Sequence, residues 1–189
     1  MIIEQLRSNT KATHEALEST MLPLIKGIKT IEDYVKLLHI FFGFYKPLQD
    51  QIDAVIDMKR MPEYKTFRRA EWILDDLDAL GFTAQHLPVC SLDFSISSAE
   101  DIMGALYVTE GSTLGGKVIC KMIAASLQKN DTGGLRFFNA YGNETGSHWK
   151  NFLAKLDTFS NTNGQQAIID TAKNTFAGFQ KWICEKVVP

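Results

Sequence analysis

The chain has little cysteine, little proline and no excess of either charge. Over 189 residues the formal net charge is −2 and the isoelectric point is near 6.1, which gives no general attraction to phosphate backbones or anionic lipid. Basic residues never run beyond a pair such as Arg68-Arg69, so no nucleic-acid partner is expected. The three cysteines, Cys90, Cys120 and Cys184, are far apart and form no CxxC pair. That argues against a disulfide framework or a zinc ribbon, fits a reducing compartment, and leaves all three as expected small buried apolar residues. No apolar run is long enough to span a bilayer; even ALYVT is interrupted by Glu110 and the glycines. The opening MIIEQLRSNTK has no continuous apolar segment of the secretory kind. No membrane association and a cytoplasmic location are expected. Repeats, low-complexity tracts and composition breaks are also missing, so residues 1–189 read as one domain.

The five prolines fall at positions 23, 47, 62, 88 and 189, and the stretches between them repeat apolar residues every three or four positions, the period of helices. A first helix is expected from Ile3 to Ser19, with Leu6, Thr10, Thr13 and Leu17 along one stripe, followed by MLPLIKGIKT as a connector or short helix. Thr30 with Asp33 three residues on predicts an N-cap for a helix from Ile31 to about Met58, bent by Pro47. Pro62 opens a helix through Phe67, Trp72 and Leu77 to about Gly81, and 82–97 read as a loop. Ser98 with Asp101 caps a helix running to about Gln128. NDTGG is a turn and FFNAYGNETG an irregular or short helical segment. Helices over Ser147–Phe159 and Gly164–Val187 close the chain. With no convincing strand pair, the fold class is all-α, a helical bundle.

Two segments carry unusual chemistry. In THEALE, His14 and Glu18 stand at i and i+4 and share a face. A carboxylate there can accept from imidazole Nδ1, directly or through water, and leave Nε2 free and more basic toward a metal. A surface His–Glu pair is the plainer alternative. Arg7 lies seven residues earlier on that face, about 10 Å along the axis. In YVTEGSTLGGK, Gly111, Gly115 and Gly116 fall within six residues of a strongly helical segment, at a cost of about 2–3 kcal/mol against alanine. Either a flat ligand approaching bare backbone or close helix–helix packing would compensate. A phosphate loop fits less well, because the G-x-x-x-x-G-K-[ST] spacing is missing and no strand precedes the segment. His39, His86 and His148 are expected to be structural or surface residues.

LRSNTKATHEALE, YKPLQDQID, ALYVTEGSTLGGKVI and DTAKNTF resemble, in order and over nearly the whole chain, four blocks of the haem oxygenase family. The similarity is best to its bacterial, biliverdin-producing members, including those encoded beside bacteriophytochromes. The resemblance implies haem sandwiched between the first helix and a glycine-kinked distal helix. It makes His14 the proximal iron ligand, Glu18 its orienting carboxylate, and Gly111 and Gly115 the distal glycines. Arg7 and Lys150 take the places of propionate-binding residues, Tyr45 that of a tyrosine in the distal water network, and Phe176 that of a haem-wall phenylalanine. Two positions depart from the pattern. Ser112 stands where the mammalian members have an aspartate that orders distal water, and Ala154 stands near a position where some members carry a further arginine.

The activity implied is O2- and electron-dependent cleavage of haem to biliverdin, CO and iron, with haem as both cofactor and substrate. No flavin or nicotinamide fingerprint occurs, so electrons come from an external donor: a ferredoxin, a flavodoxin or a reductase. A bacteriophytochrome or other biliverdin acceptor is a further implied partner. The alternative is a non-catalytic haem sensor or haem chaperone on the same fold. A thiaminase-like or di-iron enzyme is a third reading, but paired E-x-x-H motifs are missing from the sequence.

Overall fold

A computed structural model describes residues 2–83, 86–129, 131–159 and 164–187. Among these residues there is no strand. The helices are α1 (Ile2–Lys26), α2 (Ile31–Val55), α3 (Glu71–Ala79), α4 (Ala99–Ser126), α5 (Arg136–Asn139), α6 (Thr145–Phe159) and α7 (Gln165–Val187), with 3-10 turns at Pro62–Thr66 and Gly142–Glu144. The all-α expectation is met.

Local chemistry sets most boundaries. Thr30 and Asp33 form a reciprocal capping box at the start of α2, and Ser98 and Asp101 form another at the start of α4. Gly81 takes a left-handed φ of 82°, and Phe82 N–H returns to Leu77 O at 2.9 Å, a glycine stop for α3. Helix α2 ends at Val55, three residues short of expectation, because Asp57 folds the chain: its Oδ1 accepts from Lys59 N–H and its carbonyl from Arg60 N–H.

Helix α1 is a correction. It continues past Ser19 and through Pro23 to Lys26, so the expected connector is helical. Pro23 deprives only the carbonyl of Ser19 of its donor, and Ser19 is exposed. Pro47 is likewise carried inside α2; the carbonyl it leaves free, Gly43 O, accepts the loop amide of Cys90 at 2.8 Å. The segment from Pro62 to Gly81 is a second correction, because it is two elements rather than one helix. Between them Arg68 N–H donates to Tyr141 Oη at 2.6 Å and Ala70 N–H to Gln49 Oε1 at 2.8 Å. Tertiary acceptors have taken the amides that a continuous helix would use.

The core is aromatic where α2, α5 and α7 meet. Phe41 lies 4.9 Å from Phe138 and 5.0 Å from Phe179 between ring centres, and Phe44 stacks on Phe179 at 4.5 Å. Trp182 of α7 packs on Gly43, where a Cβ would come within 2.5 Å of the indole, and its Nε1 donates to Ile40 O at 2.9 Å. Helices α1 and α4 each pack along α7 and touch one another little. That arrangement leaves a slot between them. The cysteine expectation needs correction too: Cys90 and Cys120 are half-buried, and Cys184, one position past buried Ile183, is exposed on the outer side of α7.

Candidate active site: a slot between α1 and α4

The slot is a cavity of about 420 Å³, within the range of small-molecule sites. Helix α1 contributes Arg7, Thr10, His14, Leu17, Glu18 and Met21, and α4 contributes a strip from Tyr107 to Ile119. The aromatic rings of Phe41, Tyr45, Phe138, Phe176 and Phe179 also line it, as do Trp149 and Arg68. The structure thus brings Arg7, His14, Glu18, Tyr45, Gly111, Ser112, Gly115 and Phe176 together. Lys150 is exposed on α6 and stands outside the lining, although its neighbour Trp149 belongs to it.

On the α1 wall His14 is about half exposed, with its ring centre 5.1 Å from that of Phe176. Its Nε2, not the expected Nδ1, faces Glu18 Oε1 at 3.2 Å. Both side chains are open to solvent, so helix spacing determines the pairing and not which nitrogen makes it.

The α4 wall separates the two explanations for its glycines. Helix α4 runs unbroken from Ala99 to Ser126. A Cβ on Gly116 would come within 2.5 Å of Phe138 O, and one on Gly111 within 3.2 Å of the Trp149 ring. Close packing therefore accounts for Gly116 and crowds Gly111. A Cβ on Gly115 would meet nothing within 4 Å. Gly115 has no protein neighbour that demands glycine, and the room it leaves belongs to the slot.

The residue that sequence reasoning missed is Arg68. Buried to 8% exposure, it comes from the broken segment before α3. Its Nη2 reaches Tyr45 Oη at 2.9 Å, Thr109 O and Ser112 Oγ, and the guanidinium lies 4.4 Å from the Phe137 ring centre. Tyr45 Oη and Ser112 Oγ are themselves 3.1 Å apart. Behind this set, Tyr141 Oη donates to Glu110 Oε2 at 2.7 Å. Glu110 is buried, and that burial raises its carboxyl pKa while Arg68 and Tyr141 oppose the shift. No local pattern marks Arg68 in the sequence; an arginine beside another arginine is ordinarily solvated.

A second cavity of about 340 Å³ lies between the Pro62–Thr66 turn and α6, with Phe67, Met103 and Phe152 in its wall. It holds none of the candidate residues. His148, which also lines it, stacks on Tyr141 with ring centres 4.0 Å apart. Among the described residues no three His, Cys, Asp or Glu side chains gather as a metal cage. No helix there is long and apolar enough to cross a membrane.

The fold recurs in solved structures. The NO- and CO-bound haem oxygenase of Neisseria meningitidis superposes with a TM-score of 0.70 at 22% identity, covering 98% of this chain and 92% of that one. The haem oxygenase of Leptospira interrogans does so with a TM-score of 0.76 at 20% identity, covering 97% and 98%. No curated protein matches. The model of the family Heme oxygenase matches residues 1–185. With that match over nearly its whole length and the fold of two solved haem oxygenases, this chain belongs to the haem oxygenase family, the enzymes of haem degradation.

Proposed function

We propose that the chain opens haem with O2 and externally supplied electrons to give biliverdin, CO and iron, with the slot between α1 and α4 as its active site. The observation that carries the reading is the pairing of His14 on one wall with bare Gly115 on the other. An imidazole stands opposite backbone that leaves room for a flat ring, and apolar side chains stand between.

The residues present fit haem. His14 would hold the iron; turning its ring so that Nδ1 meets Glu18 frees Nε2 and keeps the carboxylate as orienting partner. Arg7, on the same face of α1, would take a propionate. Lys150 lies outside the lining, so Arg7 carries that role alone of the two. Phe176 would pack on the ring beside His14. Haem bound there supplies both the ring to be opened and the iron that activates O2, and a neutral imidazole suits that better than a thiolate.

The protein's own part is to exclude water, orient and donate. Phe41, Phe138 and Phe179 keep the inner end of the slot apolar. The α4 backbone at Gly111 and Gly115 limits the space above the ring and biases which edge is approached. Arg68, Tyr45 and Ser112 present donors at that face. A guanidinium that holds the tyrosine and serine hydroxyls in place supplies order that a carboxylate at 112 would otherwise provide. The electron donor is an external ferredoxin, flavodoxin or reductase, and a bacteriophytochrome is one acceptor for the product.

Steady-state assay of the haem complex with a reducing system and catalase in air tests this reading. Sustained biliverdin and CO release is expected. Haem that binds but persists, or ends as a stable oxidised complex, would leave only a haem sensor or chaperone.

A further inference from the structure

Arginine stays ionised when buried, and every acceptor of the Arg68 side chain is neutral: a tyrosine hydroxyl, a main-chain carbonyl and a serine hydroxyl. Its Nε is buried with no hydrogen-bond partner. A charge held this way needs a counter-charge close behind it.

Glu110 is that group. It is 4% exposed, immediately before Gly111 on α4. Tyr141 Oη bridges it to Arg68, accepting Arg68 N–H at 2.6 Å and donating to Glu110 Oε2 at 2.7 Å, and the Arg68 charge and main-chain amide also act on the carboxyl directly. The Tyr141 hydroxyl accepts from the amide and gives its one proton to Glu110, and this bond and the Arg68 charge favour the carboxylate against the burial that raises its pKa. His148 stacks flat on the Tyr141 ring and helps to fix that hydroxyl.

We propose that Glu110 is a positioning residue for the distal donors. Through Tyr141 its buried carboxylate anchors Arg68 in the slot wall and balances its charge, so the Arg68–Glu110 pair sets how strongly this face holds a small anion. The carboxylate missing at position 112 is present two residues earlier, behind the arginine instead of inside the slot. This inference rests on the slot being the haem site.

Fluoride titration of the ferric haem complex near neutral pH, read from the visible spectrum, tests it. Glu110→Gln keeps an acceptor for Tyr141 and removes only charge. It is expected to bind fluoride roughly three- to tenfold more tightly, because Arg68 is left uncompensated. Arg68→Met is expected to bind it more weakly by at least a similar factor. A merely structural role for Glu110 would loosen the site, so unchanged or weaker affinity in Glu110→Gln, with full haem loading, overturns the proposal. Tyr141→Phe removes the bridging hydroxyl and is expected to weaken fluoride binding, because Arg68 loses its anchor; unchanged affinity there overturns it as well. A wild-type chain that takes up no haem overturns this proposal and the functional reading together, whereas haem uptake with unresponsive fluoride affinity overturns this proposal alone.

Discussion

At the scale of single residues, the donors of the slot differ in how replaceable they are. Arg68 Nη2 has two protons and three acceptors within reach, Tyr45 Oη, Thr109 O and Ser112 Oγ. Removing the serine hydroxyl leaves two acceptors, and Ser112 Oγ already returns one bond to Thr109 O at 2.8 Å. Ser112→Ala is therefore expected to slow biliverdin formation only about two- to threefold. Tyr45→Phe keeps the ring but frees Arg68 to shift, and should cost more. Arg68→Met should cost most, roughly tenfold or beyond in kcat at unchanged haem affinity. Single-turnover rates of the four proteins give the order, and a Ser112→Ala loss exceeding that of Arg68→Met would reverse it. Legibility at this scale was uneven. Arg7, His14 and Glu18 on α1, and Gly111 and Gly115 on α4, could be picked out because each set repeats along its own helix. Arg68 could not, because its role depends on a break in the chain and on Tyr141, 73 residues away. The ring orientation of His14 was equally hidden, since one hydrogen-bond partner does not choose between two ring nitrogens.

At the scale of elements, α4 offers a controlled contrast between two neighbouring glycines. Gly116→Ala would drive a methyl into the Phe138 carbonyl, and should destabilise the chain by about 1–3 kcal/mol. Gly115→Ala meets open space. It should raise stability by up to about 1 kcal/mol through helix propensity while weakening haem uptake or slowing turnover. Thermal melts of the apoproteins with haem titrations separate the two, and equal destabilisation at both positions would contradict the geometry. The start of α5 carries a pH signature. Asp76 Oδ1 and Oδ2 accept from Arg136 and Phe137 N–H at 2.7 and 2.8 Å, yet burial raises its pKa from 3.8 to about 6, with Asp75 adding to the shift. The folded chain thus holds this proton more tightly than the unfolded chain does. The resulting stabilisation is full below the unfolded value and is lost as the pH rises through about 6. Asp76→Asn should flatten the stability profile between those values by about 1–3 kcal/mol, measured as denaturant midpoints against wild type; an unchanged profile would show that Asp76 does not titrate there. The two capping boxes and Gly81 were readable because such signals are local. The run of α1 through Pro23 and the break before α3 were not, because solvent and tertiary acceptors decided them.

At the scale of the whole molecule, α1 and α4 are walls held by a common neighbour, α7, rather than by each other. A ligand between them should join what the apoprotein leaves separate. Haem is expected to raise the melting temperature in a concentration-dependent way and to increase amide protection from Arg7 to Met21 and from Tyr107 to Ile119 more than along α7. Protection confined to α7 would place the ligand elsewhere. The helical class and the family resemblance were accessible from sequence at this scale, since period and motif order survive without coordinates. The slot itself depends on which helices fail to meet. The most direct test is a haem titration of the wild type and of His14→Ala, followed by ferric absorption spectra with and without added imidazole. A 1:1 complex with a Soret band is expected, with axial ligation lost in His14→Ala and restored by imidazole; an unchanged ferric spectrum in that variant would contradict the assignment of His14 and of the slot.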